Sequence, residues 1–153
     1  MKKLLLFALI FSVPIITDSS EAPRSNINEL KKMLKEERIN TIVKAVISVE
    51  LNGNDNILVN KKENAVGVLQ IRPIMVREVN FILHKHRFTL TDRWDSVKSV
   101  EMFKIYQDKF NPKWNVERAA RLWNGGRMGM RKKATFRYYK RVLRKYLRLK
   151  RKS

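Results

Sequence analysis

Residues 39–54 read INTIVKAVISVELNGN. Ile39, Ile42, Val43, Val46 and Ile47 recur at intervals of three and four, the period of a helix with one buried face. Leu30, Met33 and Leu34 carry the same pattern upstream. Asn28 is the candidate N-cap of a helix beginning at Glu29, after a turn-like linker, PRSNIN, at 23–28. Asn40-Thr41 is a candidate break that would divide the stretch into two helices. The pattern runs to Glu50 and stops at Asn52-Gly53, a turn signal. A carboxylate thus stands at the end of an apolar helix, where the helix dipole is negative. The dipole and the apolar neighbours both raise the pKa of such an acid. A general acid at neutral pH needs that raised value, and glycoside cleavage is the commonest chemistry that asks for one. A surface glutamate just past the last buried turn is the competing outcome, and on the helix alone it is the commoner one.

The rest of the chain reads as mainly α. Residues 52–64 are polar, with ILV at 57–59 as a candidate short extended segment. Pro73 suits the first turn of a helix over the following apolar positions Val76, Val79, Phe81, Ile82 and Leu83, because its missing N–H costs nothing there. TLTDRWD, 89–95, reads as a connection. Val97, Val100, Phe103, Tyr106 and Phe110 form a helical stripe ended by Asn111-Pro112. Val116, Ala119, Ala120, Leu122 and Trp123 form another, ended by Asn124-Gly125-Gly126. Over 134–150, Phe136, Tyr139, Leu143 and Tyr146 are expected on the buried face, with Lys and Arg opposite.

The 153 residues suffice for one domain with a modest core. The absence of cysteine excludes a disulfide framework, a thiol nucleophile and a cysteine-held metal. His84 and His86 have no partner spacing, so no metal site and no cofactor are expected. At the N-terminus, MKK precedes an apolar run of 13 residues, LLLFALIFSVPII, and then TDSSEAP. That run is shorter than the roughly 20 residues that span a bilayer, and it reads as a secretory signal peptide over 1–22. Export to the periplasm or cell surface is the expectation. An uncleaved N-terminal anchor is the alternative.

The net charge is +20, and Glu117 is the last acid. From Arg127 to Ser153 there are thirteen Lys or Arg. Such a field attracts polyanions: nucleic acid, anionic membrane or an acidic wall polymer. Export makes nucleic acid the least favoured of these. The segment 146–153 is expected to be a basic tail beyond a domain at 23–145. A solvated basic helix face is the plainer account of the charge, and a basic amphipathic helix can also lie on a membrane surface.

Five blocks in order resemble the soluble lytic transglycosylases of the lysozyme-like superfamily. VISVELNGN matches a catalytic glutamate at a helix end before a polar loop. NAVGVLQIRP, 64–73, matches a G-A-x-G-L-M-Q-I-x-P block and keeps Gly67, Gln70, Ile71 and Pro73. MFKIYQDKF matches a tyrosine-bearing helix, LWNGG matches A-Y-N-A-G, and ATFRYYKRVL matches E-T-x-x-Y-V-x-x-V-L. The match spans residues 40–145. It departs from the family at Leu51 (usually serine), Trp123 (tyrosine) and Ala134 (acidic).

The resemblance implies a lysozyme-like single domain with a catalytic groove between helices. It implies a peptidoglycan lytic transglycosylase, expected as a monomer, acting on the MurNAc-β-1,4-GlcNAc bond of glycan strands. Glu50 would be general acid and then base, closing the muramic 6-hydroxyl onto C1 to leave a 1,6-anhydro end. Gly67 would permit close backbone approach to the sugar or a sharp turn. Gln70 and Asn124 would hydrogen-bond sugar groups from opposite walls. Trp123 would stack on a pyranose face or fill the core. Tyr138 would hold the Glu50 carboxyl, and Tyr106 would line the site or the core. If Asp55 or Glu63 faces Glu50 across a water, the protein is instead a hydrolytic muramidase. A non-catalytic cationic wall-binding protein on the same fold is the remaining alternative.

Overall fold

The computed structural model describes residues 21–52 and 59–152. The expected signal peptide over 1–22 lies outside them except for its last two residues. So does Asp55. The chain forms two compact units, Met1–Met33 and Leu34–Ser153. Five α-helices and one small hairpin make up the described residues: α1 (Glu21–Glu50), β1 (Val59–Asn60), β2 (Ala65–Val66), α2 (Pro73–Ile82), α3 (Ser96–Phe110), α4 (Val116–Gly125) and α5 (Thr135–Lys150). The chain is therefore mainly α. Among the described residues, no helix is long and apolar enough to cross a membrane.

Helix α1 is longer than the cap signals indicate. It begins at Glu21, so Asn28 is not its N-cap, and 23–28 is helical rather than a linker. Pro23 falls in the first turn, where a proline removes no helical hydrogen bond. Asn40-Thr41 does not divide it. The Thr41 hydroxyl donates to the Glu37 carbonyl one turn back, at 2.8 Å, and is satisfied inside the helix. Ile27, Leu30, Met33 and Leu34 are exposed, whereas Ile42, Val43, Val46 and Val49 are buried. The apolar spacing is helical throughout, and in the second unit Ile42, Val43, Val46 and Val49 carry it into the core.

That core lies in the second unit, with Leu69, Ile71, Val79, Met102, Phe103, Trp114, Leu122 and Val142 all almost fully buried. Full burial of each large apolar side chain contributes about 1.5–3 kcal/mol before entropy is charged against it. Local signals place the helices around it. Pro73 opens α2. The Asp95 carboxylate accepts from the Val97 and Lys98 amides and caps α3. Asn115 accepts from the Arg118 amide and caps α4, and Gly126 ends it at φ +70°. Arg121 then ties α4 to the start of α5, donating to Glu117, to the Met130 carbonyl and to the Thr135 hydroxyl.

Several faces differ from the sequence expectation. Val97 is 79% exposed, and the buried positions of α3 are Ser99, Met102, Phe103, Tyr106 and Gln107. On α5 the fully buried side chains are Thr135, Tyr138 and Val142; of the expected set, Tyr139 and Tyr146 are half-buried against the core, Leu143 is half-buried and Phe136 is exposed. Exposed Phe136 carries two cations over its ring, Lys140 and Arg121. Nor does a tail begin at residue 146. Helix α5 continues unbroken to Lys150, Tyr146 and Leu149 rest against the core, and Lys150 pairs with Glu37 at 2.6 Å.

The hairpin pairs Val59 with Val66 and Asn60 with Ala65, antiparallel. After β2 the chain makes a tight turn, closed by Gln70 N–H to the Gly67 carbonyl at 3.0 Å and by a bridge between Val66 and Ile71. A buried cation fixes this turn. Arg93 sits in a 3-10 helix, Thr91–Trp94, within the segment read as a plain connection. Its guanidinium donates to the carbonyls of Asn64, Ile71 and Leu90 at 2.8–3.2 Å. Those bonds offset its desolvation, which pushes its pKa down.

Candidate functional site

Glu50 is the last residue of α1. Asn52 follows at φ +50°, a left-handed step that turns the chain away from the helix axis. Arg141 of α5 closes the helix end, its Nη2 donating to the Val49 carbonyl and to Asn52 Oδ1, both at 3.1 Å. Glu50 itself is half-buried. The Tyr138 hydroxyl donates to its Oε1 at 2.7 Å.

Burial is the main influence on Glu50. It pushes the carboxyl from the ordinary 4.5 up to about 7. The Tyr138 hydrogen bond, then Arg141 and Arg72, pull it back down, and Glu63 pushes it up. Tyr138 is the donor because burial and the neighbouring carboxyl hold its phenol well above the usual range. At neutral pH the Glu50 carboxyl is therefore divided between its acid and base forms.

This carboxyl lies on the wall of a cavity of about 530 Å³, within the size range of small-ligand sites. The hairpin and the turn after it supply Asn60, Glu63 and Gln70; α2 supplies Met75 and Glu78; α3 supplies Tyr106; and the end of α4 supplies Trp123 and Asn124. Two ion pairs also line it. Arg72 meets Glu63 at 3.5 Å and donates to the Asn124 carbonyl at 3.4 Å. Arg127 grips Glu78 with two bonds of 2.7 and 3.0 Å.

The cavity thus brings together Glu50, Gln70, Tyr106 and the adjacent pair Trp123-Asn124 from four separate stretches of sequence. Tyr138 stands behind Glu50 as its hydrogen-bond partner rather than on the cavity wall. Gly67 does not line the cavity. It holds φ +75°, and a Cβ there would lie 2.0 Å from the Arg93 carbonyl oxygen. Its glycine character serves the turn and the Arg93 backbone rather than a ligand. Trp123 offers no open face for a sugar. The residue is 6% exposed, and its ring meets Phe103 edge-on at 4.8 Å and donates from Nε1 to the Leu69 carbonyl at 3.2 Å. Gln70 sits at φ +48°, its Nε2 donating to the Gly67 carbonyl at 3.0 Å. Asn124 is exposed at the rim.

Sequence reasoning missed Arg72, Arg141 and the Glu78–Arg127 pair. Among 34 Lys and Arg, nothing local marks which few point inward. Arg72, next to Pro73 inside the NAVGVLQIRP block, is the one whose position offered a hint. Among the described residues, no three His, Asp or Glu side chains converge as metal ligands do. Compared with known proteins, the chain matches no family model, no curated protein and no solved structure.

Proposed function

We propose that the protein is a lysozyme-fold lytic transglycosylase that cleaves the MurNAc-β-1,4-GlcNAc bond of peptidoglycan, with Glu50 as its general acid and base. One observation carries the reading. A carboxyl raised to about 7 and oriented by Tyr138 lies on the wall of a cavity that also holds Gln70 and Asn124. A catalytic group works best when its pKa lies near the working pH, because both of its forms are then available.

In the first half of the reaction, protonated Glu50 gives its proton to the glycosidic oxygen as the C1–O bond breaks. The Glu50 carboxylate then takes the proton of the muramic 6-hydroxyl, whose oxygen closes onto C1. The acid is regenerated and no water is consumed. Glu63, whose charge acts on Glu50, is ion-paired to Arg72, and Glu78 on the same wall is ion-paired to Arg127, which suits a single-acid mechanism. Glu63 also lines the same cavity, and that favours the second reading, hydrolysis through a water held between two carboxylates. The substrate places the protein outside the cytoplasm, in the periplasm or at the cell surface. There its basic exterior meets anionic wall polymer or lipid.

Purified sacculi test both readings. Wild type releases muropeptides, and Glu50→Gln lowers that release about a hundredfold or more while the fold is kept. Products lighter by one water than the hydrolytic muropeptides identify the transglycosylase. Products of full mass identify the muramidase. No release by wild type refutes both.

A further inference from the structure

A second cavity, of about 420 Å³, lies at the C-terminal end of α2 and shares no lining residue with the first. Arg77, Asn80, Phe81, His84, Lys85 and His86 line it, and none of these is acidic. Backbone bonds fix its shape. His84 takes φ +53° just past the helix and turns the chain back on its last turn. The His84 and Lys85 amides donate to the Phe81 and Asn80 carbonyls at 3.1 and 3.2 Å, which closes the helix end. Buried Asn80 pins the segment that follows. Its Oδ1 accepts from the Arg87 and Phe88 amides, and its Nδ2 donates to the Phe88 carbonyl, at 2.7–3.1 Å.

Two features of this cavity call for a ligand. The first is unbalanced charge. Arg72, Arg87, Arg121 and Arg127 each hold a carboxylate, whereas Arg77 and Lys85 form no ion pair among the described residues. The dipole favours cations at a helix C-terminus, which accounts for Lys85. It does not account for Arg77, more than a turn before the end of α2 at Ile82. The second feature is Phe81, 68% exposed although it forms part of the cavity wall. Ile74 and Arg77 precede it at steps of three and four on the same face of α2, and Ile74 is exposed as well. A free anion would use the cations and leave Phe81 in water. An anion carried on an apolar body uses both. Guanidinium and ammonium groups suit phosphate oxygens, and an aromatic ring suits the boundary between lipid headgroups and acyl chains. The net charge of +20 draws the protein to an anionic surface.

We propose that this cavity is a docking site for the phosphate headgroup of an anionic phospholipid, with Arg77 and Lys85 on the phosphate and Phe81 against the acyl chains. His84 and His86 supply further ring N–H donors on the same wall. The site does not rest on the catalytic reading of Glu50, because the two cavities have no residue in common.

The test is calorimetric titration of the full chain with dihexanoyl phosphatidylglycerol, kept below its micelle concentration. Dihexanoyl phosphatidylcholine, with the same chains and no net charge, and inorganic phosphate, with no chains, are the comparison probes. The parent is expected to bind the anionic lipid about tenfold more tightly than either. Arg77→Gln with Lys85→Gln should weaken that binding about tenfold. Lys109→Gln with Lys113→Gln removes the same charge from exposed positions outside both cavities and should change it less than about twofold. Phe81→Ala should weaken lipid binding about tenfold and leave inorganic phosphate unaffected. Melting temperatures should not move, because Arg77, Phe81 and Lys85 are all exposed. Equal losses from the two charge pairs would mean attraction by net charge alone and would overturn the site. A loss with the Arg77 pair but none with Phe81→Ala would mean a free-anion site and would overturn the lipid assignment. So would lipid affinity that ignores the Arg77 pair while binding of a single-stranded oligonucleotide is lost, which would make the partner nucleic acid.

Discussion

The Tyr138 hydroxyl and Glu50 Oε1 meet at 2.7 Å although 88 positions separate them in the chain. That bond joins the buried face of α5 to the last turn of α1. It also sets two quantities in opposition. Burial favours the neutral carboxyl, and the phenol favours the charged one. The value of about 7 is where they balance, with burial the stronger.

Replacing Tyr138 with phenylalanine removes the group that lowers the Glu50 pKa and leaves the burial in place. The Glu50 pKa should rise. On the proposed mechanism Glu50 acts in its protonated form, so the alkaline limb of kcat/KM against pH should move upward. The rate at the optimum should fall by about tenfold, because the carboxyl loses its orientation. A pH–rate profile on soluble glycan chains reads both effects. A lower rate with an unmoved limb would mean that the phenol orients Glu50 without tuning it.

The same carboxyl makes stability depend on pH. Unfolded, it titrates near 4.5; folded, near 7. Between these values the folded chain holds a proton that the unfolded chain has released. Stability from this group is therefore complete below pH 4.5, declines as the pH rises, and is gone above about 7. The loss is about 3 kcal/mol. Glu50→Gln cannot ionise, so its stability relative to wild type should climb across that window and level off above it. Denaturant titrations at pH 4 to 8 measure the difference. A constant gap between the two proteins would mean the carboxyl does not titrate in that range.

Gly67→Ala should disrupt the site without altering any catalytic group. The new Cβ meets backbone, the Arg93 carbonyl at 2.0 Å, and the residue keeps a φ of +75°. Neither can relax by rotating a side chain. A loss of about 2 kcal/mol or more is expected, read as a lower thermal midpoint. Gln70, three residues on and bonded to the Gly67 carbonyl, moves with the turn. Binding of glycan should therefore weaken even at temperatures where the variant stays folded.

What could be read in the sequence was what local chemistry dictates. Helical spacing located α2, α3 and α4 because their caps and stops are residues of fixed preference: Pro73, Asn111-Pro112 and Gly126. The end of α1 at Glu50 was legible for the same reason, and so was the upward direction of its pKa. Its start was not, because Asn28 is an equally good cap or an ordinary helical residue. Which face of a helix is buried depends on what stands opposite. Phe136 is as apolar as Val142, but only Val142 meets the core. The cavity's ion pairs were invisible in the same way. Glu78 and Arg127 are 49 residues apart, and only the fold brings them to one wall.

The outer side of α5 provides a last prediction. Arg137, Lys140, Arg144 and Arg148 are all exposed and recur at three- and four-residue steps, so they lie along one face. Opposite them, Tyr138 and Val142 hold the helix on the core. The charge is thus presented on a rigid rod, not on a trailing tail. A polyanion can bind several of these cations at once without ordering the helix first. Arg144→Gln with Arg148→Gln should weaken association with sacculi several-fold at low ionic strength. The deficit should shrink as salt is raised, because exposed charges are screened. Melting temperature and cleavage of short soluble glycans should not change, since neither residue lines the cavity. Co-sedimentation with sacculi across a salt series measures the effect. Binding that ignores both the substitutions and the salt would place the wall contact elsewhere on the molecule.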